Sequence, residues 1–140
     1  MSRLEDIGIS VESPGLPESL TGNAQPILHE ILHALQRLSD SDEATVIDLH
    51  SIPFAPGDEK RLLEVLGHGE VDVHMHTLGE TRIWESLYAG VWIVDHHNAE
   101  GERIAFHIEV SRVPEILRAQ DEDISDGVQR FRRRLTPTGQ

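Results

Sequence analysis

Residues 70–109 of this 140-residue chain constrain its fold more than any other stretch: EVDVHMHTLGETRIWESLYAGVWIVDHHNAEGERIAFHIE. Apolar and polar side chains alternate along most of it, and the breaks fall at Gly79, Gly90 and the run 98–101. A period of two interrupted by such short breaks predicts successive strands joined by tight connections, hence antiparallel pairing. Strand 70–76 places Val71, Val73 and Met75 on one face and Asp72, His74 and His76 on the other. Strands 81–87 and 91–97 follow. Strand 103–110 turns Ile104, Phe106, Ile108 and Val110 inward and Ala105, His107 and Glu109 outward.

A sheet with one apolar face needs a cover. Residues 26–38 supply it, because Ala24, Ile27, Leu28, Ile31, Leu32, Leu35 and Leu38 recur at helical spacing. Asn23 is placed to cap this helix, and Pro26 fits its first turn. TVID and Leu49 form a further buried strand over 45–49. Asp58 is expected to cap a short helix running to Leu66, closed by Gly67 in the left-handed conformation. Pro114 opens another short helix to Ala119, followed by an exposed acidic run at 120–123. The fold class expected is α+β, with an antiparallel sheet of four to five strands (a mixed sheet being the variant) and helices packed on one face. Residues 1–25, with Pro14, Pro17 and three glycines, make an irregular arm, in which Ile7, Ile9 and Val11 can add an edge strand. Residues 26–120 form a single domain. Residues 121–140 carry an arginine-rich amphipathic tail helix, with Ile124, Val128, Phe131 and Leu135 on one stripe. That stripe is expected to pack within a monomer or a homodimer.

The formal net charge is −13, the sign opposite to that of a free nucleic-acid binder, so nucleic acid is not an expected partner. The chain has no cysteine, which removes disulfides, thiolate metal sites and cysteine catalysis together. The first residues carry acids where a signal peptide needs an apolar run, and no run approaches a membrane span. A cytoplasmic protein without membrane contact is the expectation.

Three constellations bear on chemistry. HEILH at 29–33 puts His29 and His33 on one helix face with Glu30 between them, as in zinc proteases. Those histidines lie away from the apolar stripe, beside Gln36, Arg37 and Asp40, and Gln36 and Ser39 stand where the extended motif needs glycine and histidine. A solvated helix face is the better account. On the sheet, Asp72, His74, His76, His107 and Glu109 would converge if their strands pair, offering either metal arms or an ordinary exposed face, and the latter is favoured. Glu85 alternates with Ile83 and Leu87, so it points toward apolar neighbours unless a bulge turns it out. Trp84 and Trp92 read as packing residues. No catalytic residue, metal or cofactor is assigned.

Three blocks carry a resemblance. LLEVLGHGEV, IWESLYAGVW and IEVSRVP are similar to the L-G-x-G-E-V, I-x-E-[ST]-x-x-x-G-V-W and I-E-V-x-x-[IV]-P pattern of the HupH/HyaF hydrogenase expression proteins. Gly67, Gly69, Glu70, Glu85, Ser86, Gly90, Trp92, Glu109 and Pro114 fall on that pattern, in order and at matching spacing. Ser111 departs from it, standing where many members have glycine. Many relatives are also longer than this chain. The resemblance implies a non-enzymatic accessory factor, a chaperone or scaffold for maturation or expression of a nickel–iron uptake hydrogenase, assisting its iron–sulfur small subunit. It implies a hydrogenase subunit or another accessory protein as partner. Glu70, Glu85, Trp92, Glu109, His74, His76 and His107 are the candidate partner-binding residues. The alternative is a metal-binding protein or zinc metallohydrolase using HEILH or the sheet histidines.

Overall fold

Five antiparallel strands in the order β1-β5-β4-β3-β2 form one sheet, with two helices on one face. The structure is a computed structural model and describes residues 22–76 and 78–137. The expected edge strand around Ile7, Ile9 and Val11 lies outside the described residues. The elements are α1 (Ala24–Ser41), β1 (Thr45–Asp48), α2 (Pro56–Leu66), β2 (Asp72–His76), β3 (Glu80–Glu85), β4 (Val91–His97), β5 (Arg103–Val110), a 3₁₀ turn (Glu115–Leu117) and α3 (Asp121–Leu135). The fold is α+β, as the alternating pattern requires. No described helix is long and apolar enough to cross a membrane.

Register separates the two faces. Trp84 pairs with Ile93, Ile93 with Ile108 and Ile108 with Ile47, so these four point to the helix side. They meet Ala24, Ile27, Ile31, Ala34 and Leu38 of α1 and Leu62 and Leu66 of α2 in the main core. One step along each strand, Ile83 and Val94 pair on the far face and join Trp92, Val73, Met75 and Leu117 in a second, smaller cluster. The far face is therefore not simply polar. The segment after β5 folds over it and brings Leu117 down onto the sheet.

Several local expectations are corrected. α2 opens at Pro56, and Asp58 is its third residue, not its cap. The Asp58 Oδ2 accepts from the Ala55 N–H at 3.1 Å and Oδ1 from the Gly22 N–H at 3.2 Å, with the side chain fully buried. This is half of a capping box, since Ala55 has no side-chain acceptor to return. Asn23 precedes α1 but donates its amide to the Pro53 carbonyl at 2.9 Å instead of capping the helix. Gly67 ends α2 at φ 68°, ψ −165°, outside the left-handed helical region yet still open chiefly to glycine. Leu32 is 54% exposed and Ile104 47% exposed, Ile104 lying opposite the register shift between His96 and His97. β3 stops at Glu85 because Ser86 turns the chain. Its hydroxyl donates to the Tyr88 carbonyl and accepts from the Tyr88 N–H, each at 3.0 Å. The segment after Pro114 is a single 3₁₀ turn rather than a helix to Ala119. The acidic run Asp121, Glu122 and Asp123 is the first turn of α3, where it meets the positive end of the helix dipole.

Candidate functional site

Glu85, Trp92, Glu109 and Val46 stand side by side in one cross-strand row on the far face, because β3, β4, β5 and β1 pair at those positions. Trp92 is 6% exposed and Glu109 is 7% exposed. The Trp92 indole Nε1 donates to the Ser111 carbonyl at 3.1 Å. Glu109 turns both oxygens to neighbours. Its Oε2 accepts the Glu115 N–H at 2.9 Å and the Ser111 hydroxyl at 3.3 Å, while Oε1 lies 4.0 Å from His107 Nε2. A buried carboxylate requires such donors. Together these bonds hold residues 111–118 over the sheet, with Pro114 buried beneath. Burial pushes the His107 imidazolium down from its ordinary pKa, against the opposing pull of the Glu109 and Asp48 carboxylates.

Glu85 is half-buried on the same face as Ile83, and its Oε2 accepts the Gly90 N–H at 3.4 Å. Its backbone does more. The Glu85 carbonyl accepts from Gly69 at 2.6 Å, and its N–H donates to the Val71 carbonyl at 3.0 Å. A Cβ on Gly69 would stand 2.5 Å from the Ser86 carbonyl oxygen, so only glycine allows this approach. Gly90 sits at φ 91° and accepts from the Ser111 N–H at 2.9 Å, which fixes the end of β5 against the β3–β4 turn. Most residues of the three sequence blocks thus serve one construction, in which the glycines bring backbones together, Glu85 holds the β3–β4 turn, and Glu109 and Trp92 anchor the chain that follows β5.

What that construction presents is a shallow hollow of about 330 Å³ beside the anchored segment. Glu109 and Ser111 lie at its floor. Val46, Val113, Arg112, Glu115 and Arg118 form its walls, and Val46 and Val113 are 59% and 43% exposed. Ile116, 52% exposed, is on the same segment. Apolar side chains flanked by arginine and glutamate make a surface able to take a protein partner. Sequence reasoning missed Val46, Val113, Glu115 and Ile116. Glu115 donates through its backbone, which no residue pattern marks, and Val46 alternates with Ile47 on a strand too short to reveal its face.

The histidines are not gathered as the strand pattern allowed. Asp72 pairs with Trp84 and His74 with Arg82, so Asp72, His74 and His76 point to the helix side at the β2 edge. His107 and Glu109 point to the far side of β5, with β3 and β4 between. Strand order and one-residue register, not composition, decide this. At the β2 edge Arg82 donates to Asp72 at 2.8 Å, with the His68 and His74 Nε2 atoms 3.3 Å and 3.7 Å from the same carboxylate. The hydrogen bond from Arg82 holds the Asp72 carboxyl below its ordinary pKa, although partial desolvation opposes it. His68 stacks on Trp84, and Arg82 lies over the same indole at 5.1 Å. Glu70 is exposed nearby, away from the row. His29 and His33 are exposed on α1, and the His29 ring contacts the Gln25 amide at 3.2 Å. Among the described residues, no three histidine or carboxylate side chains converge on a point able to hold a metal ion.

Comparison with known proteins gives a consistent outcome. The chain is 35% identical over 119 residues to the hydrogenase expression/formation protein HoxQ of Azotobacter vinelandii, covering 84% of this chain and 42% of that protein. It is 32% identical over 126 residues to the hydrogenase expression/formation protein HupH of Rhizobium leguminosarum bv. viciae, covering 84% and 45%. The chain thus spans less than half the length of these relatives. The solved structure of hydrogenase expression protein HupH from Thiobacillus denitrificans superposes with a TM-score of 0.79 at 37% identity, over 82% of this chain and 96% of that one. Residues 21–137 match the family described as "HupH hydrogenase expression protein, C-terminal conserved region", and the chain belongs to that family.

Proposed function

We propose that this chain is a non-enzymatic accessory factor in the maturation or expression of a nickel–iron uptake hydrogenase. It acts in the cytoplasm and binds the iron–sulfur small subunit through the far face of its sheet. One observation carries the reading: Glu109, Trp92 and the buried Pro114 are used to hold an exposed segment in place, not to line a reactive cleft. Residues so buried support a docking surface from beneath, and the contact itself falls to Val46, Val113, Ile116 and the charged groups around them. His107 flanks that surface. His74 and His76, on the opposite face, and Glu70, exposed ahead of β2, are left out of it. The names of the relatives, hydrogenase expression/formation proteins, agree with an accessory role.

The test is co-expression of tagged chain with both hydrogenase subunits and the hydrogenase accessory proteins, followed by capture. Small subunit should be retained by the wild type and lost with Val113→Asp plus Ile116→Asp, whose side chains are exposed and not needed for the core. Equal retention by both proteins, or capture of only the large subunit or another accessory protein, would overturn the assignment of surface or of client respectively.

A further inference from the structure

Among the described residues nothing covers α3. None of its side chains is buried, and Ile124, Val128, Phe131 and Leu135 are 53%, 46%, 66% and 71% exposed. A 15-residue helix is marginal in water on its own, and packing of its apolar side is what ordinarily maintains it. The apolar residues are spaced four, three and four apart. That is the narrow seam of a two-helix coiled coil rather than the broad stripe of a helix lying on a sheet.

The charges select the occupant. The four acids Asp121, Glu122, Asp123 and Asp126 occupy the first half of the helix, and the four arginines Arg130, Arg132, Arg133 and Arg134 the second. Only the Arg130–Asp126 pair is satisfied within the helix, at 3.0 Å. A second copy laid antiparallel sets the acidic half of each helix toward the arginine-rich half of the other, with Asp126 level with Arg133, and opposes the two helix dipoles. A parallel pair would set arginine against arginine. The arrangement is also self-complementary. About a two-fold axis midway between Val128 and Phe131, each Ile124 lies across from a Leu135 and each Val128 across from a Phe131. Gly127, flanking Val128 with nothing within 4 Å of a notional Cβ, leaves room for the second copy's Phe131 ring.

We propose that α3 is a self-association element that joins two copies of this chain in an antiparallel helix pair, leaving the far-face docking surface of each copy free. Two helices about 22 Å long bury less than the roughly 1,600 Å² of a standard stable interface. The dimer is accordingly reversible and salt-sensitive, because the end-to-end charge pairing is exposed.

The chain's lack of cysteine makes the test direct. Sedimentation velocity on the whole chain from about 5 to about 500 µM should show a monomer–dimer equilibrium governed by mass action. Phe131→Asp should weaken it at least tenfold, by the loss of a buried apolar pair. It should leave the fluorescence of buried Trp92 unchanged, because α3 adds nothing to the core. Under mild oxidation a mixture of Ile124→Cys and Leu135→Cys chains should cross-link to each other, while Ile124→Cys alone should not. A single monomeric species throughout, a dimer indifferent to Phe131→Asp, or ready self-cross-linking of Ile124→Cys would overturn the proposal. So would a bond from Phe131→Cys to Leu32→Cys, which would seat α3 instead in the apolar groove that Leu28, Leu32 and Leu35 of α1 form with Val65 of α2 and Tyr88. None of these outcomes depends on the hydrogenase client.

Discussion

The Trp92 indole donates a hydrogen bond to the Ser111 carbonyl across 19 residues of chain, at 3.1 Å. That bond ties the start of β4 to the first residue beyond β5 and commits the chain to fold back over the far face. Trp92→Phe keeps most of the apolar contact with Ile83 and Val94 but leaves the buried carbonyl without its donor. The expected loss is about 1–3 kcal/mol. Trp92→Ala, which also opens a cavity, should cost about 3–5 kcal/mol. Urea unfolding of the two variants checks the order. A Trp92→Phe variant as stable as wild type would mean the hydrogen bond contributes nothing beyond packing.

The Ser111 hydroxyl is the second donor to Glu109, beside the Glu115 N–H. Ser111→Gly should therefore destabilise by about 1 kcal/mol, a sum of one lost hydrogen bond and added unfolded-state freedom. Glu109→Ala removes the acceptor of both Ser111 and the Glu115 N–H and should cost more, about 1–3 kcal/mol. Glu109→Gln keeps one acceptor oxygen and should fall between wild type and Glu109→Ala. Thermal melts of the three variants measure this, and proteolysis near Arg112 and Arg118 should rise in the same order as the segment loosens.

Two glycines should respond oppositely to alanine. At Gly69 a methyl group would meet the Ser86 backbone oxygen at 2.5 Å, and neither strand end can move without losing the Gly69–Glu85 hydrogen bond. Gly69→Ala should destabilise by about 1–3 kcal/mol. Gly127 lies inside α3 with open space around it, so Gly127→Ala should increase the helicity of that segment by about 0.5–1 kcal/mol. Circular dichroism and chemical unfolding distinguish the two. In the proposed dimer Gly127→Ala should also weaken association, since the space beside Val128 is filled.

How far these features could be read from sequence follows the range of the interactions involved. The period-two pattern over 70–109 is local, and it located four of the five strands because alternation and turn glycines act within a few residues. The Asn98 turn is of this kind. The Asn98 Oδ1 accepts from the Glu100 and Glu102 N–H groups, with Gly101 at positive φ. Face assignment failed for the β2 histidines because it depends on register between strands. A residue's parity within its own strand says nothing about its parity against β5. The second apolar cluster was hidden for the same reason, since Ile83 and Val94 each look like ordinary alternation until Leu117 is brought over them. Glu85, Trp92 and Glu109 could be picked out by the three motif blocks. Their alignment in one row needed the strand order, and the anchoring of Glu115 through its main chain leaves no mark on residue type.

His107 makes the stability of this fold depend on mild acid. Burial favours its neutral form, so its folded pKa lies below the unfolded value of 6.5. The unfolded chain therefore binds more protons than the folded one as pH falls through this window, and stability decreases with decreasing pH. The contribution is fully present above about pH 6.5 and is lost progressively as pH falls from there through the lowered folded pKa. Asp72, held low by Arg82, acts in the same direction but only below its ordinary value of 3.8, so the two effects separate on the pH axis. Unfolding free energies of wild type and His107→Gln, measured from pH 7.5 to 5 at constant ionic strength, should diverge in slope. The wild-type decline below about pH 6.5 should be shallower in His107→Gln. Parallel curves would mean that protonation of His107 is accommodated beside Glu109 and Asp48 without cost.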